Sequence, residues 1–247
     1  MKKWISVYLF IIIFTVSVVI FDLFQTYRNL SANKSATEEI KEEAPAYVVI
    51  NDNIPTITVD DAYGSDGTIQ PFEHYSDLDA LGRAGEAYVC ISKDSMPDYE
   101  RESISMIKPS GWHLYNTKQL WNITLEDEDS FYLYNRCHII GFQLTGIDGT
   151  HRSELLSRNL FTGTRQLNIG AMLDCENQVA SYLRTHPGCY VLYKATPEYE
   201  GVNLLATGIH LQALSLDGEL QFNVYVFNIQ NGFSINYLTG LASYIGH

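Results

Sequence analysis

The chain has 247 residues, 46% of them hydrophobic and 18% charged, enough apolar material for one large or two small domains, which excludes collagen-like, low-complexity and wholly disordered classes. Twenty-nine acidic residues stand against 16 basic ones, a formal net charge of -13, so bulk charge argues against a polyanionic partner. Aromatics reach 13%, chiefly 17 Tyr and 11 Phe, an enrichment that favours sheet over a helical bundle.

In chain order, Met1-Lys2-Lys3 precedes an uncharged run from Trp4 to Phe21, which Asp22 closes. The run is long enough to span a bilayer, and its flanking charges leave the N-terminus cytoplasmic and the remainder outside. A signal-anchor is therefore expected over 1–24, making the protein a single-pass membrane protein with an extracellular domain. Secretion after signal cleavage is the alternative, disfavoured because the run ends in Ile20-Phe21-Asp22-Leu23-Phe24 and not in small residues. Residues 25–59, with Glu38, Glu39, Glu42 and Glu43, read as a polar acidic stalk, which leaves 60–247 as the folded domain.

Within it, Ala87 to Ser92 is an apolar strand candidate, Lys108-Pro109-Ser110-Gly111-Trp112 a turn, and Phe131 to Tyr134 a second strand running into Asn135-Arg136-Cys137-His138. Met172, Cys175, Val179 and Leu183 recur at steps of three and four, predicting a helix over Ala171 to Arg184 that His186-Pro187-Gly188 stops. Strands follow at Tyr190 to Thr196 and Leu204 to Leu216, and an Asp217-Gly218 turn leads into the alternating run Glu219 to Ile229. Strands with few helices and no βαβ alternation predict an α+β domain around a mainly antiparallel sheet. Cys90, Cys137, Cys175 and Cys189 have no C-x-x-C spacing and read as unpaired, with no zinc site implied.

His74, His113, His151, His186 and His210 lie in polar or turn-like contexts and read as surface residues. His138 differs, because Asn135 and Arg136 precede it directly and Gly141 follows. Asn168 stands just ahead of the predicted helix, and Glu176 lies inside it. Alone, each has a plain structural reading as a packed residue, a helix cap or a solvated helix position. Together they supply what phosphodiester hydrolysis needs: a neutral base, an oxygen ligand for a hard cation, and an arginine for phosphate oxygens.

Asn135-Arg136-Cys137-His138 is similar to an Asp-Arg-Gly-His signature, and Asn159-Leu160-Phe161-Thr162-Gly163-Thr164-Arg165-Gln166-Leu167-Asn168 and the pair Glu176-Asn177 match two further motifs in order and spacing. Lesser similarity lies in Leu78 to Gly82, Lys108 to Trp112 and the run from Ala195 to Gly240. On these motifs the stretch from about Asp77 to Gly240 resembles the DNA/RNA non-specific endonucleases of the ββα-metal (His-Me finger) class, within it the membrane-anchored DNA-entry nucleases and secreted DNases of Gram-positive bacteria. The resemblance implies a ββα-metal nuclease fold and a largely sequence-independent, metal-dependent endonuclease acting outside the cell on DNA, with RNA left open, and leaving 5′-phosphate ends. It makes His138 the general base, Asn168 the direct ligand of one Mg²⁺ (Mn²⁺ suits the same ligands), and Glu176 the holder of metal-bound waters. Arg136 becomes a phosphate contact, Asn159 a substrate-binding or site-organising residue, and Arg165 and Asn135 further substrate-side residues. No organic cofactor is implied.

Two departures stand out: Asn135 replaces the signature Asp and Cys137 the signature Gly. They leave open a catalytically weakened nucleic-acid-binding ectodomain, and a secreted nuclease toxin is a further alternative. The charge objection weakens locally, since Ser130 to Ala195 holds six basic residues against four acidic ones, a net of +2, while the acid gathers in the stalk, in Asp60 to Glu102 and in Glu126-Asp127-Glu128-Asp129.

Overall fold

Strand β3 (Ala87–Ser92) sets the plan of the molecule. Ala87, Val89 and Ile91 point to one side, into a core shared with Met172, Cys175, Val179, Ala180 and Leu183, the apolar stripe of a long helix over Ala171–Thr185. Cys90 points to the other side, where Leu192 joins it and Ile57 and Ala62 cover both. A sheet apolar on both faces must be covered on both.

The computed structural model of the chain describes residues 45–112, 132–147 and 153–245. Besides β3, its strands are β1 (Tyr47–Val49), β2 (Phe72–Tyr75), β4 (Tyr134–His138), β5 (Leu160–Thr164), β6 (Tyr190–Glu198), β7 (Gly208–Ser215), β8 (Gln221–Phe227), β9 (Phe233–Ile235) and β10 (Ala242–Tyr244); its α-helices are α1 (Phe142–Thr145), α2 (Ser153–Leu156), α3 (Arg165–Ile169) and α4 (Ala171–Thr185). Six strands form an antiparallel sheet in the order β1-β8-β7-β6-β3-β2, and β4-β5 and β9-β10 form separate two-stranded ribbons. The expected α+β class with a mainly antiparallel sheet is what is found. The four cysteines are free.

Three expectations shift. The sheet begins before residue 60, because Tyr47–Val49 pairs with Val224–Val226 of β8, and the polar groups that read as a stalk are absorbed by the fold. The Thr56 amide and hydroxyl both donate to Gln212 Oε1 (2.6 and 3.0 Å), and Asn223 bonds Asn53 and Ile54. Asn51, Asp52 and Asn53 take φ of +48°, +51° and +66°, a left-handed turn that Asn and Asp tolerate better than other side chains. The second strand starts at Tyr134, with Phe131 outside the described residues: Leu133 is drawn into a separate cluster with Leu205, and pairing begins at Tyr134↔Thr164. The strand expected from Leu204 starts at Gly208, because Arg83 Nη1 holds the carbonyls of Gly201 and Asn203 (2.8 and 3.0 Å) and Ser110 Oγ holds that of Leu204 (2.8 Å).

The span expected over 1–24, residues 25–44 of the stalk, His113, His151 and the run Glu126 to Asp129 lie outside the described residues. Among the described residues no helix is long and apolar enough to cross a membrane.

Candidate active site

Alternation along β4 sorts the signature residues. Arg136 and His138 share one face of the β4-β5 ribbon, while Asn135 and Cys137 take the other. The Cys137 face is core: Cys137 is fully buried, and a Cβ on Gly163 would come within 2.5 Å of its sulfur and 3.3 Å of Leu167. The extra side chain at position 137 is thus accommodated by the missing one at 163. Burial pushes the Cys137 thiol well above its ordinary range, so it is an inert packing group.

His138 ends β4 at 8% exposure. The chain beyond it is fixed by Asn159, which is fully buried and uses both ends of its amide: Oδ1 accepts from Ile140 N (2.8 Å) and Nδ2 donates to Ile140 O (3.0 Å), while the Asn159 carbonyl accepts from Ile139 N (2.9 Å). With no exposed surface and both amide groups engaged, Asn159 is placed as a site-organising residue, one of the two roles expected of it. The clamp brings Gly141 against Glu176, where any Cβ would lie 2.3 Å from Oε2.

The face carrying His138 is covered by the loop 101–112. Arg136 straps that loop down: its Nε donates to Ile107 O (2.5 Å), its Nη2 to Ser105 O (2.8 Å), and its guanidinium stacks 4.0 Å from the centre of the Trp112 ring. Arg136, expected as a phosphate contact, therefore spends much of its donor fork on protein carbonyls. The same strap brings in a cation that sequence reasoning missed. Arg101 Nη2 lies 3.4 Å from His138 Nδ1. Since guanidinium only donates, Nδ1 is the lone-pair nitrogen in this contact and Nε2 carries the proton.

Glu176 lies on α4, 8% exposed, and burial pushes its carboxyl up to about 8 against the partial compensation of Gln143 and the Arg101 charge. A buried carboxylate with so little neutralising charge fits a site that receives a cation. Asn168, on the last turn of α3, is half-buried and makes no side-chain hydrogen bond among the described residues. Those residues contain no group of three or more His, Cys, Asp or Glu able to hold a metal. A lone amide oxygen is a poor zinc cage, and suits a hard cation that keeps most of its waters.

The structure thus brings His138, Arg101, Gly141 and Glu176 together, with Arg136 two residues back on the histidine's face. Asn168 and Arg165 sit on the short helix between the ribbon and α4. Asn135 is on the face away from His138, and its Nδ2 is buried with no hydrogen-bond partner among the described residues. A second missed residue is Asn228, fully buried. Its Oδ1 accepts from Thr164 N (2.8 Å) and its Nδ2 donates to Thr162 O and Ala206 O (3.2 and 2.9 Å). With Gln166, whose amide donates to Gln230 Oε1 (3.0 Å) and whose Oε1 accepts from Asn231 N (2.7 Å), it fixes the start of α3. Thr164 caps that helix, its hydroxyl accepting from Leu167 N (3.1 Å). An Asn just past a strand end carries no signal in one sequence.

The profile of the DNA/RNA non-specific endonuclease family matches residues 62–216. A deoxyribonuclease of Streptococcus dysgalactiae subsp. equisimilis is 32% identical over 192 residues, covering 67% of this chain and 59% of that protein, so the chain spans about three-fifths of this relative's length. The Sda1 nuclease with bound zinc superposes with a TM-score of 0.63 at 28% identity, covering 82% of this chain and 98% of that one. NucA from Streptococcus agalactiae with magnesium bound superposes at 0.62 and 22% identity, covering 81% and 87%, a likeness of fold.

Proposed function

The chain belongs to the DNA/RNA non-specific endonuclease family, and from that premise we propose that it is a metal-dependent endonuclease that hydrolyses DNA, and RNA where it meets it, outside the cell. The observation that carries the reading is the pairing of His138 Nδ1 with Arg101 at 3.4 Å beside the buried Glu176 carboxylate.

His138 Nδ1, the ring nitrogen without a proton, takes the proton of the attacking water once Arg101 turns from it to the phosphate oxygens. Asn159 holds the Ile139-Ile140-Gly141 turn, which keeps the imidazole at the strand end and leaves room beside Gly141 for the Glu176 carboxylate. Arg136 acts mainly through the loop that carries Arg101, and Arg165 is a second candidate phosphate contact. Asn168, through its amide oxygen, would hold a divalent cation, Mg²⁺ or Mn²⁺, and Glu176 would orient its waters; the ion would supply Lewis-acid stabilisation at the leaving 3′-oxygen, consistent with 5′-phosphate ends. The names of the neighbours, one with magnesium and one with zinc, support a divalent ion without choosing it. Both departures from the family signature, Asn135 and Cys137, lie on the ribbon face away from His138, which favours retained activity over a binding-only domain. The uncharged run Trp4 to Phe21 supports a single-pass anchor in the cell membrane with the catalytic domain outside.

The test is degradation of plasmid DNA by the full chain with Mg²⁺ and with excess EDTA. The reading expects nicking and linearisation with the metal and none with the chelator; intact plasmid under both conditions overturns it.

A further inference from the structure

Next to the Glu176 carboxylate the surface opens into a groove of about 730 Å³, within the roughly 300–1,000 Å³ of pockets that hold small ligands. It is lined by Lys93, Met96, Tyr99, Phe142, Gln143 and Arg184, with Asp98 the one carboxylate in its walls. Its lining adjoins the site residues along the chain at two points. Tyr99 stands two residues before Arg101, and Phe142-Gln143 directly follow Gly141, with Gln143 Nε2 donating to Asn177 Oδ1 (3.0 Å) beside Glu176.

Two features give the groove its chemistry. Lys93 and Arg184 are exposed, and neither makes an ion pair among the described residues. Two other cations, by contrast, are matched: Arg158 pairs with Asp77 at 2.8 Å and Lys194 with Glu86 at 2.7 Å. The Tyr99 ring is half exposed yet held still, its hydroxyl donating to Gly146 O (2.5 Å) and its edge set against Phe142 with centroids 5.8 Å apart. Fixed aromatic surface between unmatched cations is what grips a nucleic-acid strand, the ring taking a base face and the cations the backbone.

We propose that this groove is the subsite for unpaired nucleotides flanking the scissile phosphate, with a base on Tyr99 and Phe142 and backbone phosphates on Lys93 and Arg184. The proposal rests on the hydrolytic reading of the neighbouring site. A base in a duplex is stacked on its neighbours and cannot reach the ring, so the groove favours single strands, gaps and frayed ends.

The test measures affinity without cleavage. A fluorescein-labelled, mixed-sequence single-stranded oligodeoxynucleotide is titrated with the full chain in EDTA at several salt concentrations. The double variant Lys93→Ala, Arg184→Ala is expected to bind about tenfold more weakly at low salt and to lower the slope of log affinity against log salt by about 1.4, or 0.7 for each lost phosphate contact. Tyr99→Ala is expected to bind about fivefold or more weakly with the slope unchanged, Tyr99→Phe to bind like the parent, and the Tyr99→Ala loss to vanish on blunt duplex. Parental affinity and slope in the double variant, or equal Tyr99→Ala losses on single strand and duplex, overturn the proposal. A parent that binds but does not cut with Mg²⁺ sinks the hydrolytic reading and leaves the groove standing.

Discussion

The two faces of the six-stranded sheet are finished differently. On the face covered by the N-terminal segment, polar groups find partners: Thr56 on Gln212, Asn53 and Ile54 on Asn223, and Tyr88 on Asp61 at 2.8 Å. On the face covered by α4 and the β4-β5 ribbon, Glu176 is buried with its carboxyl pushed up, Asn168 makes no side-chain hydrogen bond among the described residues, and Arg101 reaches from an exposed loop to a buried histidine. The contrast separates what the fold needs for itself from what it holds ready for a ligand. Unsettled polar groups gathered on one side mark where an ion and a polyanion complete the structure.

Substitutions on the unsettled side should cost activity and little stability. Asn168→Ala should lower Mg²⁺-dependent plasmid cleavage at least 100-fold, read as initial rates, with its melting temperature in EDTA near the parent's. Glu176→Gln should cut activity similarly while stabilising the metal-free protein at alkaline pH. The sign follows from the raised carboxyl. The folded state favours the protonated form, so metal-free stability is fully present below the ordinary glutamate range near 4.5 and is lost as pH rises through about 8. Melting curves from pH 5 to pH 9 should converge at the acid end and separate at the alkaline end; parallel curves would break the contrast. Where the two sides are joined, structure and function should fall together. Asn228→Ala leaves Thr164 N and two carbonyls without a partner and should cost about 2–4 kcal/mol in urea denaturation, with reduced cleavage. Gly163→Ala forces a methyl group onto the Cys137 sulfur and should cost about 1–3 kcal/mol. On the settled side Thr56→Ala should cost about 1 kcal/mol and leave cleavage at the parental rate.

Local patterns carried much of the fold. The apolar run Ala87 to Ser92 is β3 as read, the three-and-four spacing from Met172 to Leu183 is the buried stripe of α4, and Asp217-Gly218 turns β7 into β8 with Gly218 at φ +78°. What failed depends on distant partners. Residues 45–59 look like solvated chain because their polar groups are satisfied by Gln212 and Asn223, 156 to 170 positions away, which no local window can register. Asn159 was legible as important but not as buried, because its role depends on a turn 19 residues upstream. Arg101 was hidden by company: it stands among Asp98, Glu100 and Glu102 in a stretch that reads as acidic surface, and only the strap from Arg136 brings it to His138.

The central claim is that His138 is the base of a metal-dependent phosphodiester hydrolysis, and imidazole rescue addresses it most directly. The account predicts that His138→Ala loses plasmid cleavage by at least about 100-fold, keeps the parental melting temperature, and regains part of its rate when free imidazole is added with Mg²⁺ but not with imidazole and EDTA. Cleavage by His138→Ala at the parental rate would contradict it.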